Sequence, residues 1–227
     1  MIWLRILLAA SLSLSVTAVS AQTAKKYCSA DAAKYDVHLF GYTFEDESLK
    51  KMSKKILTEF RSKMQVGTRL RLYSHTLDGY SVTFDQCLPG CPDAGFVEKF
   101  FSSSCSDTVA KRDLRNFDRS FAIQVLKSYE GDAQKYDIFK SVQQLSDVYR
   151  SSNESAQVYA VISMVPAGVK PNDRDGLNAL FRVGREATQF PKEFPSVNLI
   201  GASSSKEIQA FWTDVLEGKA TFTFVRY

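Results

Sequence analysis

Few groups in this chain are equipped for chemistry: two histidines, His38 and His75, four cysteines, and an acid-rich stretch, "HLFGYTFEDES", at residues 38–48. An imidazole can act as a base near neutral pH. The flanking patterns put His38 within one strand and His75 at the end of another, so the two are expected as neighbours at the C-terminal edge of a sheet. His75 could there serve a hydrolase, with Ser74, Thr43 or Ser163 as nucleophile. The motifs that usually carry such work are absent. No G-x-S-x-G elbow occurs, and "GVKPNDRDG" lacks the glycines of a phosphate-binding loop. "CLPGC" spaces its cysteines more widely than the C-x-x-C of thiol oxidoreductases. His38, mid-strand, reads as a core histidine with a satisfied ring, and a non-catalytic chain is the favoured reading.

The acidic stretch offers hard oxygen ligands of the kind Ca²⁺ and Mg²⁺ require. It has a structural use as well. Thr43 followed by Asp46 fits a capping box, the acids ease the helix macrodipole, and Gly41 permits a tight strand-to-helix turn. That use is favoured over a metal, and no cofactor is expected.

Cys28, Cys87, Cys91 and Cys105 form an even set. In an exported chain this reads as two disulfides, with all three pairings open. A zinc site would want a second tight pair beside "CLPGC", and Cys28 and Cys105 are isolated. Export itself is read from the N-terminus. Arg5 precedes the apolar "ILLAASLSLSVTAV", and "AVSA" supplies small residues for cleavage after Ala21. Residues 1–21 are thus expected as a signal peptide, 22–34 as an N-terminal segment and 35–227 as one domain. The mature chain would be periplasmic or secreted, with no membrane span, since no later segment reaches the ~20 apolar residues one needs. Lys50, Lys51, Lys54 and Lys55 lie among Glu45, Asp46, Glu47 and Glu59, a mixed solvated face rather than a nucleic-acid patch.

Strands and helices must position these groups. "YDVHLFGY", "TRLRLYSH", "QVYAVISMV", "PSVNLIGA" and "ATFTFVRY" read as strands. The stretch from 45 to 64 carries Leu49, Met52, Ile56, Leu57, Phe60 and Met64 at helical spacing. "FDRSFAIQVLKSY", "YDIFKSVQQLSDVYRSS", "RDGLNALFRVGREA" and "SSSKEIQAFWTDVLEG" read as further helices. Residues 76–95 read as a long loop holding Tyr80, Phe84 and two cysteines. The alternation predicts an α/β fold of three layers, a mostly parallel sheet flanked by helices in Rossmann-type order.

The order of features resembles a divergent von Willebrand factor A-like domain of bacterial exported proteins. The carrying residues are "YDVHLFGYTFED", "VGTRLRLYSHTLDG", the C-x-PG element at Cys87 to Gly90 and "IQAFWTDVLEGKATFTF". Members of that family with a working site hold a divalent cation through Asp-x-Ser-x-Ser after the first strand, a Thr from a second loop and an Asp after a later strand. Here the first motif falls on Gly41-Tyr42-Thr43-Phe44-Glu45, without its leading carboxylate. The later Asp falls where Ser163 and Met164 stand, and the Thr near Tyr136 or Asp137. The resemblance therefore implies a degenerate metal-ion-dependent adhesion site, for which Thr43, Glu45, Asp137 and Ser163 are the weak candidates.

The function expected is a non-catalytic protein–protein interaction domain, an accessory of an envelope or secretion assembly whose partner is another exported or envelope protein. Its contact surface would be the loops above the sheet's C-terminal edge: Gly41, Tyr42, Thr43 and Glu45, the loop 76–95 with Tyr80 and Phe84, and the turn from Ser163 to Lys170. The alternatives are a divalent-cation-dependent binding protein with an altered site, and a hydrolase using His75.

Overall fold

The computed structural model describes residues 27–29, 33–40, 46–76, 78–91, 105–128, 138–150, 156–161, 173–187, 196–201 and 206–224. Six strands and five helices follow one another along them: β1 (Lys34–Phe40), α1 (Asp46–Lys63), β2 (Arg69–Thr76), β3 (Gly79–Cys87), α2 (Asp107–Lys127), α3 (Ile138–Arg150), β4 (Gln157–Val161), α4 (Arg174–Ala187), β5 (Val197–Gly201), α5 (Lys206–Val215) and β6 (Ala220–Phe224). The strands form one sheet in the order β3-β2-β1-β4-β5-β6. Every pairing is parallel except β2 with β3. The fold is α/β with a mostly parallel sheet, and its order is compatible with a Rossmann-like arrangement.

The expected long loop contains an antiparallel strand, which corrects the reading of residues 76–95. Thr76 pairs directly with Gly79, so the chain reverses over two residues. Gly79 has φ +152, a conformation that side-chain-bearing residues rarely adopt. The signal was present as Asp78-Gly79 followed by Tyr80, Val82 and Phe84 at period two, the pattern of a hairpin. A bulge interrupts the register between Leu72 and Tyr73.

Side chains of each central strand alternate between two buried clusters. Tyr35, Val37 and Leu39 of β1 join Leu70, Leu72, Phe84, Tyr159, Val161 and Ile200, covered by Ile56 and Phe60 of α1 and by Phe117, Phe121 and Val125 of α2. Phe40, Val158, Ala160, Val197 and Leu199 join a second cluster, with Val142 and Leu145 of α3, Leu177 of α4 and Ile208, Phe211, Trp212 and Val215 of α5. The apolar stripes on these helices recur at three- and four-residue spacing, which is why they lie flat on the sheet. Helix α2 starts ten residues before the predicted "FDRSFAIQVLKSY", with Asp107 in its first turn where the helix dipole favours an acid.

Both expected disulfides are present: Cys28 pairs with Cys87, and Cys91 with Cys105. Zinc is thereby overruled at these cysteines, since none is left free. The first bridge ties the segment before β1 to the end of β3. Tyr27 adds a hydrogen bond from its hydroxyl to Asp113 of α2, at 2.8 Å. Gly67, at φ +88, lets the chain pass against this segment, where a Cβ would stand 3.0 Å from the Tyr27 carbonyl.

Candidate functional site

The two histidines meet, as their strand positions predict. In the β1–β2 register Asp36 lies beside Arg71, His38 beside Tyr73 and Phe40 beside His75, so all six point to the face covered by α3. His38 Nδ1 and His75 Nε2 are 2.8 Å apart. On its other side His38 Nε2 is 2.8 Å from the hydroxyl of Tyr149. That hydroxyl donates to Asp36 Oδ2 at 2.8 Å. Arg71 grips the same carboxylate with two N–H donors, each at 2.7 Å. From the far side of His75, Nδ1 lies 3.1 Å from Gln144 Oε1, and the Gln144 amide donates to the Thr76 carbonyl at 3.0 Å. The result is one continuous polar chain, from Arg71 and Asp36 through Tyr149, His38, His75 and Gln144 to the turn after β2.

The chain is deeply buried. Asp36 and His38 are fully inaccessible and His75 is 3% exposed. Burial disfavours the charged imidazolium in both rings. It lowers His75 from 6.5 to about 4, against a smaller upward pull from the Gln144 contact. It holds His38 well below the usual histidine range, helped by repulsion from His75 and Arg71. Tyr73 is pushed up to about 12, again by burial first and by Asp36 second. Tyr149 is raised further for the same two reasons, so its proton stays on the phenol. Aromatic rings enclose the pair: Tyr73 stacks on His38 at 4.5 Å, and Phe40 lies 4.7 Å from His75.

This geometry bears on His75 as a base. Both of its ring nitrogens face other side chains in the buried interior, and Ser74, the neighbouring candidate nucleophile, points to the opposite face of β2 beside Leu39. Thr43 and Ser163 lie outside the described residues, as do Gly41, Tyr42, Glu45 and Asp137. The expected metal and binding-loop positions on them therefore have no structural description. Among the described residues no group of three or more His, Cys, Asp or Glu is placed to hold a metal ion.

The two aromatic candidates of residues 76–95 separate. Tyr80 is 44% exposed, with Val82 beside it at 49%, at the sheet edge next to the histidines. Its ring lies 6.0 Å from His75 and 6.1 Å from Tyr73. Phe84 is a core residue instead, edge-on to Phe117 and Phe121. It occupies the opposite face of β3 because the bulge shifts the register between Val82 and Phe84. The cysteines leave the expected surface too. Antiparallel β3 spans about 27 Å, which carries Cys87 back beside Arg69 at the N-terminal end of β2.

Asp36, Arg71, Tyr149 and Gln144 were not anticipated as members of this site. A signal for part of it existed. An acid inside the buried run "YDVHLF" needs a partner, and Arg71, Tyr73 and His75 recur at period two on the next strand. Gln144 and Tyr149 lie on a helix whose docking no local pattern reveals.

The chain matches no model of a known protein family, and no curated protein matches it.

Proposed function

We propose that the mature chain is an exported, non-catalytic domain that binds another exported or envelope protein through the C-terminal edge of its sheet. On this reading residues 1–21 are a cleaved signal peptide, and the fold is a three-layer domain of von Willebrand factor A-like type. Two disulfides support an oxidising compartment, extracellular or periplasmic. Among the described residues no helix is long and apolar enough to cross a membrane. The fold type draws support from the antiparallel strand at the edge of an otherwise parallel sheet and from the two helix-covered clusters. A role in an envelope or secretion assembly rests on compartment and on this likeness.

The observation that carries the binding role is the pair Tyr80 and Val82, two large apolar side chains displayed on an edge strand. Such residues expose area that a partner can desolvate, and Tyr in particular suits a surface that is apolar on one side and wet on the other. They stand on a rigid base, since Tyr80 rests against Tyr73 and His75. The non-catalytic side draws support from the burial of His75, which is 3% exposed.

A photo-crosslinking residue placed at position 80, in the cells that make the protein, tests this directly. One discrete adduct with an exported or envelope protein is expected, abolished by adding Val82→Asp. Absence of an adduct, or the same adduct from exposed Ile123 on α2, would defeat the proposal.

A further inference from the structure

The polar chain between Asp36 and Thr76 is short of one proton. It contains five contacts: Asp36 to Tyr149, Tyr149 to His38, His38 to His75, His75 to Gln144, and Gln144 to Thr76. Both ends, a carboxylate and a backbone carbonyl, only accept. Each neutral ring between them brings one proton, as does the phenol. Gln144 turns its amide nitrogen to one neighbour and its carbonyl oxygen to the other, so it fills one of its two contacts in either orientation. Four protons therefore serve five contacts, whichever tautomers the histidines adopt. One contact must set lone pair against lone pair. The 3.1 Å contact between His75 Nδ1 and Gln144 Oε1 is the longest of the five.

We propose that this chain is a binding site for one proton, taken from solvent hydronium at the Tyr80 edge and shared by His38 and His75. Uptake completes all five contacts and places one positive charge on the pair. The described charged and titratable groups around it are few. From β1 there is Asp36, already held by Arg71 of β2, together with Tyr73 on β2 and Tyr80 on β3. From α3 comes Tyr149, while Lys140 is exposed and Asp147 pairs with Arg150. β4 contributes only Ala160 beside His38. Asp85 of β3 lies on the same face beside Arg71 but is paired with Arg69, and Asp36 is the carboxylate joined to the pair through Tyr149. The new charge is met by the face of Tyr73, which attracts cations, and lies near the tilted ring of Phe40, while Arg71 repels it. Burial opposes uptake and completion of the chain favours it, so the site fills in acid rather than at neutrality. A switchable charge then lies directly beneath exposed Tyr80.

The sequence holds two histidines, which makes the test clean. Nitrogen-15 histidine NMR of the folded, disulfide-intact chain, titrated from neutral pH into acid, should show both imidazoles moving together. A single midpoint below pH 6.5 and a total of one proton are expected. Two independent midpoints, or no change before cooperative unfolding, would overturn the proposal. Tyr149→Phe sharpens it. That change deletes one proton and two contacts, leaving three contacts for the three protons of His38, His75 and Gln144. The deficit disappears, so the midpoint should fall by about one pH unit or more. An unchanged or raised midpoint would contradict the count. Should Tyr149→Phe fail to fold, the titration of the natural chain decides alone.

Discussion

The two sides of strand β1 are equally dry and chemically opposite. Val37 and His38 are neighbours, and both are wholly inaccessible to solvent. Toward α1 and α2 the strand presents Tyr35, Val37 and Leu39, whose burial is favourable in itself. Toward α3 it presents Asp36 and His38, whose burial is unfavourable unless every polar atom finds a partner. The first side needs shape and volume only. The second needs an ion pair, a phenol, a second imidazole and an amide at hydrogen-bonding distance. Apolar residues of similar volume would fill the same space without that desolvation cost.

Removing one partner should separate the sides most sharply. Asp36→Ala leaves the Arg71 guanidinium, only 15% exposed, without its carboxylate, and should cost about 4 kcal/mol in denaturant unfolding. Leu39→Ala, on the apolar side of the same strand, should cost about 3 kcal/mol through lost burial and a residual cavity. A smaller penalty for Asp36→Ala than for Leu39→Ala would show that the polar side is not the more demanding one.

Acid should strain the polar side and spare the apolar one. The folded state depresses His75 from 6.5 to about 4, so the unfolded chain binds the proton first. Stability is therefore fully present above pH 6.5 and lost as pH falls from 6.5 toward 4, by about 3 kcal/mol for this one group. His38, depressed for the same cause, adds in the same direction. Urea midpoints measured across that window check the slope. The Leu39→Ala chain should show the same slope at a lower stability, since the lost side chain does not titrate.

The least stability effect is expected at the surface. Tyr80→Ala should change stability by no more than about 0.5 kcal/mol, as surface substitutions usually do, while abolishing partner capture if that edge is the contact face. A large loss of stability would instead make Tyr80 a lid on the histidines.

Much of this architecture follows from local pattern. Apolar runs, one alternating strand and period-3.6 stripes place β1, β2, β4, β5, β6 and the five helices, because each must bury its apolar residues whatever surrounds it. The hairpin strand β3 was legible too, in Asp78-Gly79 and the alternation after it. The cysteines and prolines of the same stretch favour a loop instead. Export is an expectation of the N-terminal pattern and two disulfides one of the even cysteine count, and only the folded chain selects the pairs Cys28 with Cys87 and Cys91 with Cys105.

The histidine chain divides at the same line. His38 and His75 are recognisable in the sequence as strand neighbours, since parallel pairing of consecutive strands is a local expectation. That their rings touch depends on the register that sets Phe40 beside His75. That they belong to a chain depends on α3 delivering Tyr149 from 111 positions away and Gln144 from 69 positions beyond His75. Apolar burial tolerates shifts in position, so sequence pattern is enough to specify it. A hydrogen bond tolerates a few tenths of an ångström, so only the tertiary structure could decide which polar residues would meet.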